Sequence, residues 1–186
     1  MSTDMTITQS LEFQHNYSVE LADELPGNGR NTFWFKRTGA RGSDGLLLRI
    51  RTGELNWTGV FARAGGQLTG YWSLPSPSHL LVCCKGAGYV VNASDPKDWK
   101  PAVFVHLTQA LSSVADNIVV VADFCYVAAY GPSGLRWKTD RLSLDGVRIN
   151  GIDKGIIRVS AYTPQGDRWN AVAISASDGS PVFAGE

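Results

Sequence analysis

Tyr126-Val127-Ala128-Ala129-Tyr130 runs into Gly131-Pro132-Ser133-Gly134 and comes out through Leu135 and Arg136 onto Trp137. An apolar run of branched and aromatic residues, a turn of Gly and Pro, and a return segment carrying Trp make the pattern of a β-hairpin. The same unit occurs three more times. Leu46 to Ile50 turns at Thr52-Gly53 and reaches Trp57. Tyr89-Val90-Val91 turns at Asp95-Pro96 and reaches Trp99, and Val159 to Tyr162 turns at Pro164-Gln165-Gly166 and reaches Trp169. The four tryptophans are 42, 38 and 32 residues apart, a loose period. A strand–turn–strand unit recurring at such a period belongs to blades or stacked hairpins rather than to a catalytic α/β fold.

Working outward, most of the chain follows the same grammar. From Ile7 to Leu21 the apolar residues fall on odd positions, with Gln14, Asn16, Ser18 and Glu20 between them. That is period two, one half-buried strand or a bent pair of strands. Phe33-Trp34-Phe35 starts another strand before the glycine-rich Gly39 to Gly45. Leu80 to Cys84 and Tyr89 to Asn92 flank Lys85-Gly86-Ala87-Gly88, a turn of permissive residues. Val147 to Ile149 and Ile156 to Tyr162 flank a segment with Asn150-Gly151 and Gly155, which reads as a hairpin turn. The last short strand reads at Val182-Phe183. Val103 to Ala115 is the one stretch with helical spacing, through Leu107, Ala110, Leu111 and Val114; a strand over Ala102 to Leu107 is the favoured reading.

At 186 residues the chain is most simply one domain, residues 1–186, large enough to bury a substantial core. Twenty glycines and eight prolines suit a turn-rich fold. The expected fold is therefore all-β, an antiparallel meander of hairpins with at most one short helix. Seventeen basic and seventeen acidic residues cancel, so net charge selects no polyanionic partner and nucleic acid is not expected. The cancellation hides an asymmetry. Residues 1–29 hold Asp4, Glu12, Glu20, Asp23 and Glu24 and no Lys or Arg. Residues 30–70 hold Arg30, Lys36, Arg37, Arg41, Arg49, Arg51 and Arg63 against Asp44 and Glu54. Residues 1–29 thus form an acidic N-terminal strand region, and 30–186 carry the repeated units. Either the acidic strand packs beside the basic one with charges facing across strands, or the basic face meets an acidic partner.

The repeat resembles the blades of β-propeller proteins, especially the quinoprotein-type and YncE-like blade. Residues 80–99 and 117–137 carry the resemblance, and 159–169 repeats its second half. It implies a small or partial β-propeller. The chain departs from that pattern in its uneven spacing and in lacking a consistent Asp-Gly before the first strand. Four complete four-stranded blades would need nearly every residue, so a two-sheet β-sandwich of long hairpins stands as the alternative. The tail from Leu135 to Gly185 resembles the end segment of uncharacterised bacterial proteins, which implies no activity.

Catalytic and cofactor signatures are sparse. His15, His79 and His106 have no H-E-x-x-H context and no nearby cysteine pair, so no metal site is expected. Gly86-Ala87-Gly88 lacks the third glycine of a dinucleotide fingerprint, and Gly39 to Gly45 lacks the Gly-Lys-Ser/Thr of a phosphate loop. No serine sits in a G-x-S-x-G elbow, and no cofactor is expected. Cys83, Cys84 and Cys125 lie in apolar stretches without redox spacing, which suits a reducing cytoplasm. No stretch approaches 18 apolar residues and the first ten carry no signal-like pattern, so neither a membrane span nor a secretory leader is expected. Asp123 is odd in an apolar run, since a carboxylate there must face solvent or find a partner. Asp140-Arg141, with Asp145, reads as a turn anchor or as a weak site candidate.

Recognition is the better-supported chemistry. In a strand, Trp34 faces opposite to Phe33 and Phe35, and an outward Trp beside Lys or Arg is the composition of a binding hot spot. The expected binding surface is Trp34, Lys36, Arg37, Arg41, Arg49 and Arg51, with Trp72 as a further exposed aromatic. This points to a non-enzymatic protein-binding module with an acidic partner, of which a bacterial immunity or antitoxin protein is one concrete form. Self-association stays open. The alternatives are a small-ligand or glycan binder, and an enzyme assembled from scattered carboxylates such as Asp123, Asp140 and Asp145.

Overall fold

The structure, a computed structural model, describes residues 6–27, 29, 31–36 and 45–182. Arg30, Arg37, Arg41, Asp44 and Phe183 lie outside the described residues. The described residues form strands and no helix: β1 (Thr8–Ser10), β2 (Ser18–Leu21), β3 (Thr32–Phe35), β4 (Gly45–Arg51), β5 (Asn56–Ala62), β6 (Gly70–Ser73), β7 (His79–Cys84) and β8 (Ala87–Asn92). Then follow β9 (Trp99–Pro101), β10 (Gln109–Ser113), β11 (Ile118–Ala122), β12 (Val127–Gly131), β13 (Gly134–Lys138), β14 (Val147–Asp153), β15 (Ile156–Thr163) and β16 (Arg168–Ser175). They make four sheets: a first ordered β2-β4-β5-β3, a second β1-β6-β7-β8-β9, a third β10-β11-β12-β13 and a fourth β14-β15-β16. Neighbours are antiparallel except β1 on β6 and β3 on β5, which are parallel.

The sheets stack in file, and the side chains show the order. One core joins the first sheet (Leu46, Leu48, Ile50, Trp57, Phe61) to the second (Leu80, Val82, Tyr89, Val91). A second core joins the opposite face of that sheet (Trp72, Leu81, Cys83) to the third (Val119, Val121, Ala128, Tyr130). A third core joins Val120, Val127 and Ala129 to Val147, Ile157, Val159 and Ile174 of the fourth sheet. Sheets covered on both faces need apolar residues at every position, which is why β11 and β12 are unbroken apolar runs. Sheets at the ends of the file have one covered face, and β4 and β15 alternate accordingly. Three cores between four sheets replace the two-sheet sandwich alternative.

Tertiary contacts correct one local expectation and settle two others. Residues 103–115 form no helix, and 102–107 form no strand. The segment bends instead, because Ala102, Phe104 and Leu107 fill the second core and Leu107 N donates to Gly86 O at 2.8 Å. The strand begins at Gln109, where β11 supplies a ladder partner for each residue of β10. The β14–β15 turn is not at Asn150-Gly151. It falls at Lys154-Gly155, both left-handed at φ 49° and 76°, the pairing a two-residue hairpin turn requires. Asn150 is instead skipped in the ladder between Ile149 and Gly151 as a bulge. The acidic N-terminal segment is a bent pair of strands: β1 joins the second sheet and β2 the first, with Phe13 and Tyr17 buried between them.

The repeated tryptophans divide into three kinds. Trp57 and Trp137, 1% and 8% exposed, lie between sheets, and each indole Nε1 donates to a carbonyl of the next sheet: Ala93 O at 2.8 Å and Ala176 O at 3.0 Å. Trp99 packs partly buried against the first core. Trp169 is no such anchor, since it is 41% exposed on the outer side of the last sheet. Its turn joins β15 to β16, one strand earlier in the sheet than the turn preceding Trp137. Truncating Trp57 or Trp137 to Ala is expected to cost about 3–5 kcal/mol, whereas Trp169→Ala stays within about 1 kcal/mol. Denaturant midpoints of the three variants check this, and equal shifts for Trp137 and Trp169 would contradict the division.

Candidate functional site

The outward face of the first sheet is set by register. Leu48 and Ile50 turn into the first core, so Leu47, Arg49 and Arg51 turn away from it. Phe33 and Phe35 pack inward against the same core, and Trp34 between them points outward at 44% exposure. Pairing lines these residues up in rows. Leu47 is opposite Val60, which is opposite Trp34, and Glu20 is opposite Arg49, which is opposite Thr58. Lys36 Nζ sits 5.6 Å from the Trp34 ring centroid. In that row Val60 is buried and Leu47 half-buried, so the exposed apolar surface is the Trp34 indole, flanked by Lys36, Arg49 and Arg51. One of these cations is matched from the acidic strand: Arg51 Nη2 lies 3.2 Å from Glu20 Oε2, with both side chains about half exposed. Cross-strand pairing and a basic binding face thus coexist on one sheet, and Glu20 answers only part of the charge.

Among the remaining sequence candidates, Trp72 is corrected. It is 1% exposed and packs between the second and third sheets, where it presents no surface. Asp123 is committed to the β11–β12 turn, its Oδ1 accepting from Cys125 N and Tyr126 N at 2.7 Å each. Asp140 is exposed. Arg141 Nε donates to Ser143 O at 3.0 Å, closing its own loop. Among the described residues no hydrogen bond joins Asp123, Asp140 and Asp145 to one another. Among the described residues no group of three or more His, Cys, Asp and Glu could hold a metal ion. Burial raises the Cys84 thiol above its ordinary range, the direction of an inert structural cysteine. No helix among the described residues is long and apolar enough to cross a membrane.

The fourth sheet offers a second outward face. Arg148 stacks over Trp169 with its Cζ 4.1 Å from the ring centroid, and Tyr162 lies beside the same ring at 5.4 Å. Tyr162 donates to Asp167 Oδ1 at 2.8 Å, and that carboxylate raises the phenol above its ordinary range. A third feature is internal. A cleft of about 470 Å³ opens between the second and third sheets, lined by Val90, Lys100, Pro101, Tyr130, Pro132 and Ser133 among others. The spacing of the tryptophans does not point to it. The triplets Ala93-Ser94-Asp95 and Ala176-Ser177-Asp178 mark instead the two turns that receive an indole.

No family model matches this chain, and none of the curated proteins searched matches it. For Asp123 the geometry predicts a structural role. Asp123→Ala strips two backbone donors of their shared acceptor and is expected to cost about 1–3 kcal/mol. A thermal or chemical unfolding midpoint unchanged from the parent would contradict it.

Proposed function

We propose that the protein is a non-enzymatic binding module that engages an acidic polypeptide through the outward face of its first sheet. The observation that carries this reading is the exposed Trp34, held in register with Val60 and Leu47 and flanked by Lys36, Arg49 and Arg51. An aromatic anchor supplies desolvation energy at the centre of an interface, and surrounding cations supply steering and register. Antitoxin-type proteins with acidic targets are one form such a module takes.

Charge decides which occupant the face suits. The other outward face, on the fourth sheet, carries Arg148, and Arg158 paired with Asp153 Oδ2 at 3.3 Å. Head-to-tail stacking of copies would set Arg148 against Arg49 and Arg51, and like charges brought together oppose association. An acidic chain meets no such opposition. Its carboxylates pair with Lys36 and Arg49 while an apolar side chain covers the Trp34 row.

The test uses a fluorescently labelled poly-glutamate peptide as probe, read by anisotropy at several salt concentrations. The parent protein is expected to bind, more weakly as salt rises. The Lys36→Glu and Arg49→Glu double variant is expected to associate more slowly and to lose most of the salt dependence, with its thermal midpoint nearly unchanged. Binding equal to the parent together with a lowered midpoint would overturn the proposal in favour of charge pairing within the fold. Equal binding of a random-sequence DNA duplex would overturn it in favour of a general polyanion surface.

A further inference from the structure

The junctions between successive sheets are built to one plan, with one exception. At the first junction, Trp57 follows the β4–β5 turn and its indole donates to Ala93 O, the residue just past β8 in the next sheet. At the third junction, Trp137 follows the β12–β13 turn and donates to Ala176 O, just past β16 in the next sheet. The receiving turns read Asn92-Ala93-Ser94-Asp95 and Ser175-Ala176-Ser177-Asp178. Both turn on the same internal bonds: a 92 or 175 side chain accepts from the residue 94 or 177 amide, and Asp95 or Asp178 accepts from the amide two residues on. The fit at the last turn is close, since a Cβ on Gly179 would sit 2.6 Å from the Trp137 ring.

The middle junction lacks the indole and has a tighter receiving turn. That turn is Gly131-Pro132-Ser133-Gly134, without the Asp of the other two, and Pro132 comes just past β12 as Ala93 comes just past β8 and Ala176 just past β16. The tryptophan of the second sheet, Trp99, comes after the β8–β9 turn, opposite Val91. Val91 belongs to the first core, and Trp99 turns to that side, 5.6 Å from Phe35 and 5.9 Å from Tyr89. A shift of one residue in a strand reverses the face a side chain occupies. The residue that faces the third sheet is therefore Lys100, opposite Val90, which packs on the second core. Between Lys100 and Pro132 lies the cleft of about 470 Å³. This is a volume in the range of small-molecule sites.

We propose that this cleft binds a planar aromatic carboxylate, an indole or aryl acid, whose ring occupies the place that an indole side chain fills at the other two junctions. This goes beyond the polypeptide-binding reading and does not depend on it. Leu74, Val90 and Val103, all on the second core, supply the apolar wall, and the Pro132 carbonyl receives the ring donor as Ala93 and Ala176 receive theirs. The carboxylate pairs with Lys100 at the mouth. Asp98, the acid of the lining, is engaged by Asn92 Nδ2 at 3.2 Å. Tyr130 is held in the wall by the amide of Val103, which donates to its hydroxyl at 2.8 Å.

Indole-3-acetate and indole serve as probes, titrated calorimetrically and followed by methyl NMR. Indole-3-acetate is expected to bind with a Kd below about 1 mM and to shift the methyl signals of Val90 and Val103. Lys100→Ala is expected to weaken indole-3-acetate about threefold or more while leaving indole unchanged, since an exposed charge pair is lost and the ring site is kept. Lys100→Trp places an indole on the third-sheet side of β9. It is expected to abolish binding of both probes and to raise the unfolding midpoint, as Trp137 does for its own junction. Lys100 is exposed, so neither variant threatens folding. Absence of heat and of methyl shifts with the parent protein overturns the proposal. So does binding that survives Lys100→Trp at the parent affinity.

Discussion

Burial of both faces of the second and third sheets is the constraint on which the rest of the molecule depends. Neither sheet closes into a barrel, and neither has a solvent side, so each must be apolar at successive positions and each must find a sheet on either hand. That requirement sets the file of four, places the alternating sheets at its ends, and confines the charged faces to the first and last. It also explains the N-terminal segment. β1 and β2 add to two different sheets, and Ser10 reaches across to Ser112 at 2.9 Å, so one short stretch ties three sheets together.

The indoles fasten what the aliphatic faces bring together. Aliphatic packing is non-directional and holds two sheets at a distance without choosing their offset. A buried Trp must also satisfy its N–H, and doing so on one carbonyl of the neighbouring turn selects a single offset. Trp57 and Trp137 make this link and Trp99 does not, because its strand presents the other face. The junction without the link opens into a cleft. A structural element omitted from a repeat thus becomes a space available to a ligand of matching shape.

The charged surfaces obey a different logic from the cores. On the first sheet Glu20 and Arg51 pair at the surface, where an exposed ion pair adds less than about 1 kcal/mol. Such pairs contribute little to holding the fold, which leaves Lys36 and Arg49 able to meet a partner without loss of stability. The carboxylate that stood out in the sequence, the half-buried Asp123, behaves in the opposite way. It is surrounded by backbone donors of its own turn, and its chemistry is consumed there.

By itself the amino-acid pattern determined the class, the strands and their faces. Period two in Leu46 to Arg51 and in Ile156 to Tyr162, and unbroken apolar runs at Ile118 to Ala122 and Val127 to Tyr130, are local consequences of how many faces a strand buries. The opposite facing of Trp34 and Phe33-Phe35 was legible for the same reason. Tertiary structure decided what depends on distant neighbours. Residues 103–115 have helical spacing, yet the second core and the β11 ladder claim them. Trp72 reads as an exposed aromatic, yet the third sheet covers it. Trp169 follows a turn like the other tryptophans, but its turn comes one strand early in a sheet with no successor. The cleft was the least legible feature, because it arises from a one-residue change of face at Trp99 and Lys100, and a face has meaning only once the opposing sheet is in place.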